Sequence, residues 1–226
     1  MEVVIDRKFR GPSGSANGGY TCGLLASFAH GPAEVTLRLP PPLERPLEVV
    51  TDGPIELRDG ADLVAELSLS EVDLEIPTPV SFEEAAAAAL PGGDRDSAFP
   101  ECFVCGWARK DGMRIYAGPV RGRELVAATW IPGGDVISSE FVWAALDCPG
   151  AYAVQSGARG DPVLGRLAAR VDHLPRPGEH CVVIGWPLGA DGRKLYAGTA
   201  VFGDDGRVLG SARATWILPA PNPQRS

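Results

Sequence analysis

No run in this sequence approaches the roughly 18 apolar residues that a membrane-spanning helix needs, so no membrane is expected among its partners. The opening residues, MEVVIDRKFRG, are charged and lack the apolar core of a secretory signal. Basic residues are outnumbered: 21 Lys and Arg against 29 Asp and Glu give a formal net charge of -8. That balance disfavours nucleic acid, which rewards basic stripes, although a few local arginines suffice for an anionic ligand. Histidine is scarce. His30, His173 and His180 show no ligand spacing, and none lies near a candidate helix start. The five cysteines, Cys22, Cys102, Cys105, Cys148 and Cys181, are odd in number and lack the spacing of a secreted disulfide framework. A reducing cytoplasm is the expected compartment.

What the chain does have is a pattern stated twice. Val35 opens VTLRLPPPLERPLEVV, and Leu167 opens LAARVDHLPRPGEHCVVIG. Both read as strand, proline-rich corner, strand. Each follows an apolar helical segment, NGGYTCGLLASFA from Asn17 and SSEFVWAALDCPGAYA from Ser138. A repeat of roughly 100 residues is too long for a solenoid and suits a duplicated domain. The 28 glycines and 21 prolines fall between periodic segments and mark turns.

The strand candidates of the first half are Val3 to Ile5, Glu34 to Leu39, Leu47 to Thr51 with Pro54 to Leu57, and Asp62 to Glu75. The last of these alternates apolar and polar residues, as a half-buried antiparallel strand does. A linker from Pro77 contains a short helix around Glu83 to Leu90. In the second half, strands are expected at Met113 to Ala117, Arg123 to Trp130, Leu167 to Asp172, His180 to Pro187, Lys194 to Phe202 and Arg207 to Leu218. Asp204-Asp205-Gly206 signals a hairpin between the last two. The boundaries read as unit one at 1–76, a linker at 77–111, unit two at 112–219 and a tail at 220–226. One helix per sheet implies that each sheet wraps its helix, an α+β arrangement.

Strand, apolar helix and antiparallel strands, given twice, resemble a double hotdog fold. The helix starts are similar to those of hotdog acyl-CoA thioesterases, many of which read His-Gly-Gly, six further residues, then an acidic acceptor. Here the first helix supplies Asn17-Gly18-Gly19, with Asn in place of His, and its acidic position falls on Ala26. The second supplies Ser138-Ser139-Glu140 at its start and Asp147 at the acidic position. The resemblance implies one intact composite site between the units: N–H groups of Gly18 or Gly19, beside Asn17, facing Asp147. Its reciprocal pairs Ser139 or Glu140 with Ala26 and has no base.

Such a site suits thioester hydrolysis. Negative charge develops on the carbonyl oxygen, and free N–H groups at a helix start are already oriented toward it. A carboxylate across the cleft activates water or attacks directly; the general-base role of Asp147 is favoured. Glu140, Trp143, Ser139 and Tyr20 are the candidates for contacting substrate, an acyl-CoA or related acyl thioester. No cofactor is implied, and pairing of double units into a homodimer is expected from exposed sheet edges or a helix-free sheet face. A non-catalytic acyl-thioester binder or scaffold is the rival reading. A hotdog hydratase or dehydratase ranks last, because that chemistry uses a histidine near the helix start.

Cys102-Phe103-Val104-Cys105-Gly106 is a lone CxxC, which by itself suggests half a zinc site or a redox pair. No second CxxC follows, so zinc would need Cys148, Cys181 or a histidine brought in by the fold. Similar double hotdog sequences carry this segment before the second unit's first strand. A structural role and no metal are therefore expected. Arg7, Lys8, Arg10, Arg109 and Lys110 are surface cations that could reach CoA phosphates, and Trp130 and Trp216 are expected in the core or at an interface.

Overall fold

The chain is described from a computed structural model over residues 1–134, 137–155 and 160–220. In chain order the elements are β1 (Glu2–Val4), a 3-10 turn (Arg7–Phe9), α1 (Gly18–Ala26), β2 (Ala33–Leu37), β3 (Pro46–Val50), β4 (Ile55–Asp59) and β5 (Asp62–Leu69). There follow α2 (Phe82–Ala88), β6 (Gly118–Pro119), β7 (Val126–Trp130), α3 (Ser139–Ala145), α4 (Cys148–Val154), β8 (Val163–Val171), β9 (Cys181–Asp191), β10 (Lys194–Phe202) and β11 (Val208–Ile217).

All eleven strands form one antiparallel sheet in the order β1-β3-β4-β5-β2-β8-β11-β10-β9-β7-β6. The two halves meet where β2 pairs with β8, Val35 lying opposite Leu167 and Ala33 opposite Ala169. Outward from that seam the strands on one side are β5, β4, β3 and β1, and on the other β11, β10, β9 and β7, with the two-residue β6 beyond. Relative to the helix that precedes β2 or β8, these follow the same order. The two proline corners, one before β3 and one before β9, therefore occupy corresponding places.

Alternation along the strands explains which face is buried. Val35, Leu47, Val49, Leu57 and Leu67 point inward and are nearly inaccessible. Glu34, Glu48, Glu56, Arg58 and Glu66 point outward, where Arg58 pairs with Glu56, Arg38 with Glu66 and Arg166 with Glu34. The inner side chains of both halves join α1 and α3 in one continuous core, which includes Cys22, Leu25, Val142, Leu146, Leu167 and Leu209. A second, smaller core lies on the outer face of the second half. There Val182, Ile184, Trp186, Ala200 and Phe202 are covered by Val80, Phe82 and Ala85 of the linker and α2. Ser81 opens α2 with a reciprocal capping box to Glu84.

Three expectations are corrected. The second helix is not continuous: it breaks between α3 and α4 at Asp147, whose φ of -79° and ψ of -84° leave the helical region. Pro149 lies in the first turn of α4, where its missing N–H costs nothing. Met113 to Ala117 is not a strand of the sheet, because the N–H groups of Met113 and Ile115 bond to the carbonyls of Phe103 and Val104 in the CxxC loop. β5 ends at Leu69, so the alternation in Glu71 to Glu75 does not mark a strand. The expected tail lies outside the described residues from 221 onward. Among the described residues, no helix is long and apolar enough to cross a membrane.

Candidate functional site

α1 and α3 cross at two glycines of α1. A Cβ on Gly19 would lie 2.5 Å from the Asp147 Cβ and 2.7 Å from the Trp143 carbonyl oxygen. On Gly23 it would lie 2.7 Å from the Glu140 Cα and the Trp143 Cβ. The four-residue spacing puts both glycines on one helix face. This backbone approach delivers Asp147, from the break after α3, to the start of α1.

There the carboxylate is held from two sides. Its Oδ2 accepts the Gly19 N–H at 3.0 Å and the Asn17 Nδ2 at 2.8 Å. Asn17 caps α1 by accepting the Tyr20 N–H on its Oδ1 at 2.8 Å, so its amide is fixed at both ends. Thr199 of β10 donates to the Leu146 carbonyl at 2.7 Å and secures the helix break. Asp147 is only 3% exposed, and its Oδ1 has no hydrogen-bond partner among the described residues. Burial pushes its carboxyl up to about 7, against the Gly19 N–H and the Asn17 amide, which favour the ionised form.

Asp147, Asn17 and Gly18 share the wall of a cavity of about 370 Å³. Its apolar lining includes Leu37, Leu164, Trp216 and Ile217, from strands either side of the β2–β8 seam. Gly18 is the first residue of α1, so its N–H has no partner within the helix. The indole Nε1 of Trp216 is buried and has no hydrogen-bond partner among the described residues.

The expected site is thus assembled in part. Asp147 meets Asn17 and Gly19 across 128 residues or more of sequence, but the Gly19 N–H is already bonded to the carboxylate. Gly18 is the cavity-facing glycine. Tyr20, Ser139, Glu140 and Trp143 do not line the cavity. Tyr20 stacks on Phe9 with ring centroids 3.7 Å apart, inside an aromatic cluster with Phe103 and Phe141. Trp143 is buried in the α1–α3 crossing, which also occupies Glu140. Arg10 and Arg109 are paired with Glu101 and Asp111.

Cys102, Cys105 and Cys148 also line the cavity. All three are buried free thiols. Asn17 Nδ2 lies 3.7 Å from the Cys102 Sγ. Hydrogen bonds from the Cys105 and Cys148 thiols hold the Cys102 thiol well below its ordinary range, and hydrogen bonds with Cys102 and Cys105 hold Cys148 above it. The sequence signal for this cluster is the CxxC, and of the possible third members, Cys148, Cys181 or a histidine, the fold brings in Cys148. Trp216 and Leu164 are likewise site residues that strand periodicity alone assigns to a core.

No protein-family model matches the chain, and no curated protein is significantly similar to it in sequence. Solved structures are similar over nearly the whole length. A candidate thioesterase II from Thermobifida fusca superposes with a TM-score of 0.66 at 13% identity, over 97% of this chain and 92% of that one. A candidate thioesterase from Novosphingobium aromaticivorans gives 0.64 at 12%, over 97% and 95%. A hot dog fold protein from Alicyclobacillus acidocaldarius gives 0.63 at 11%, over 98% and 93%. The backbone of this chain has the hotdog fold.

Proposed function

We propose that the chain is a tandem pair of hotdog units that hydrolyses an acyl thioester, such as an acyl-CoA, at one composite site between them. The observation that carries this reading is the buried Asp147 carboxylate, with one unpartnered oxygen, beside the start of α1 on the wall of an apolar cavity. In this reading the acyl chain occupies the cavity and the Gly18 N–H polarises the carbonyl. Asn17 and the Gly19 N–H bind no substrate; they orient Asp147. The Asp147 Oδ1 takes a proton from water as the water oxygen attacks the carbonyl carbon. The tetrahedral intermediate then expels the thiolate, which receives that proton. Direct attack by the same oxygen, giving a mixed anhydride, is the other course. A single turnover in isotopically labelled water puts the label in the product acid in the first course; label in the Asp147 carboxylate, from water attacking the aspartyl carbonyl of the anhydride, establishes the second.

Turnover of an acyl-CoA panel by the wild type and Asp147→Asn tests the reading. General-base catalysis predicts a loss of about 10²–10⁴-fold, with acyl-CoA binding preserved. Retained turnover in the variant removes Asp147 from the mechanism. The rival is a non-catalytic acyl-thioester binder. It is favoured by the Gly19 N–H, one of the two donors the resemblance offers the carbonyl, which Asp147 already occupies. Saturable binding across the panel with no wild-type turnover establishes that rival.

A further inference from the structure

We infer that Cys102, Cys105 and Cys148 form a binding site for a soft divalent cation, zinc by the chemistry of its donors, whose fourth coordination position opens on the cavity. The inference concerns metal binding and stands independently of the hydrolase reading.

The geometry suits a tetrahedral metal before any metal is added. The three Sγ atoms all lie within 4.8 Å of one another, and those of Cys102 and Cys148 are 3.7 Å apart. Zinc–sulfur bonds of about 2.3 Å in a tetrahedron place neighbouring sulfurs about 3.8 Å apart. A disulfide needs about 2.05 Å, so the sulfurs are too far apart for one, and their spacing fits a shared ligand.

The backbone is built around the same point. The Gly106 N–H bonds to the Cys102 carbonyl at 2.8 Å, closing a tight turn over the CxxC. A Cβ on Gly106 would lie 2.5 Å from the Cys102 nitrogen and oxygen, so no larger residue fits the turn. The loop is anchored on both flanks: Phe103 donates its N–H to the Arg10 carbonyl at 2.7 Å and inserts its ring into the aromatic cluster, and Met113 and Ile115 bond back to it. Cys148 arrives from the start of α4, held by the helix break. Three donors from segments more than 40 residues apart are thereby fixed without a metal's help.

The usual explanation for buried cysteine, that it packs as a small hydrophobe, fits Cys22 and Cys181, which lie outside the cluster. It does not account for three converging sulfurs, one of them 3.7 Å from the buried amide nitrogen of Asn17. All three cysteines touch the cavity, and three protein ligands with an open fourth position distinguish a reactive zinc site from a closed structural one. Each thiol gives up its proton on binding, so loading releases protons to solvent.

The test uses the full chain, reduced and freed of metal by a chelator, then titrated with cobalt(II). The expected result is intense thiolate-to-cobalt charge transfer together with tetrahedral ligand-field bands, saturating at one equivalent and displaced by zinc. Cys102→Ser and Cys148→Ser are expected to lose the charge-transfer band or reduce it, and Cys181→Ala, outside the cluster, to keep it. Should either serine variant fail to fold, the wild-type spectrum decides. A reduced wild-type chain that binds cobalt without thiolate bands, or not at all, overturns the inference. So does metal retained unchanged by both serine variants.

Discussion

Gly19 carries two demands that no other residue meets together. Its missing side chain lets α3 approach, and its N–H holds Asp147 in place. Gly19→Ala forces a methyl against the Trp143 carbonyl and the Asp147 Cβ. Overpacking of this kind costs about 1–3 kcal/mol, and the displaced carboxylate lowers turnover as well. Chemical denaturation and a kcat measurement on the same preparation check both outcomes; an alanine variant with wild-type turnover contradicts the positioning role. The Asn17-Gly18-Gly19 and Asp147 pairing was legible because a short motif in each helix could be matched to a resemblance. Which glycine faces the cavity was not. That depends on the Asp147 side chain bending back to the second N–H of α1, a long-range contact that spacing does not encode. Tyr20, Ser139, Glu140 and Trp143 lie off the cavity for a related reason: proximity in sequence to a helix start does not say which side of the helix meets the cavity.

At the scale of elements, the corner between β8 and β9 is organised by one buried carboxylate. Glu179 accepts the Arg176 N–H at 2.7 Å and the Asp204 N–H at 3.3 Å, and its side chain is inaccessible beside Arg176 and Arg207. Burial pushes its carboxyl up, but those N–H groups and the Arg176 guanidinium together hold it below the ordinary glutamate range. The folded value is therefore lower than the unfolded one. Its contribution to stability is complete above the unfolded value and is lost as pH falls through the folded value. Glu179→Gln is expected to cost about 1–3 kcal/mol at neutral pH and to flatten the acid limb of a stability-against-pH curve. An unchanged acid limb refutes this. The carboxylate clamps the proline corner PRPG to the Asp204-Asp205-Gly206 hairpin. Both turns were legible from their residues, whereas the bond between them was not. Alternation locates β5 but not its end, since the pattern runs on through Glu71 to Glu75 after the strand stops at Leu69. Met113 to Ala117 failed because its N–H groups satisfy the CxxC loop, and a backbone partner outside the sheet leaves no trace in the apolar pattern. Asp147 and Pro149 were both visible, yet the apolar run through them masked the helix break.

Across the whole molecule, the two strand–corner–strand signatures visible in the sequence fall at corresponding places on either side of the β2–β8 seam. The cavity at the seam was not, since Leu164 and Trp216 follow ordinary strand periodicity. If the acyl chain lies there, Leu164→Trp narrows the space and shifts preference toward shorter acyl groups, read as the ratio of kcat/KM between short and long acyl-CoAs. An unchanged ratio places the chain elsewhere. The grounds for a homodimer are weaker in the fold than in the sequence. The sheet's edges are strands of three and two residues, the second ending in Pro119, and short or proline-bearing edges resist further pairing. The helix-free outer face of β2 to β5 is charged and laced with ion pairs. Sedimentation at micromolar concentration is expected to give a monomer, and a dimer requires an interface that neither edge supplies.

The central claim, that Asp147 and the start of α1 act on one acyl thioester carbonyl, is tested most directly by a crystal structure of Asp147→Asn with an acyl thioester bound. The account predicts the acyl chain in the seam cavity, the carbonyl oxygen within hydrogen-bond reach of the Gly18 N–H, and residue 147 beside the carbonyl carbon with space for one water. A thioester bound with its carbonyl away from both groups contradicts it.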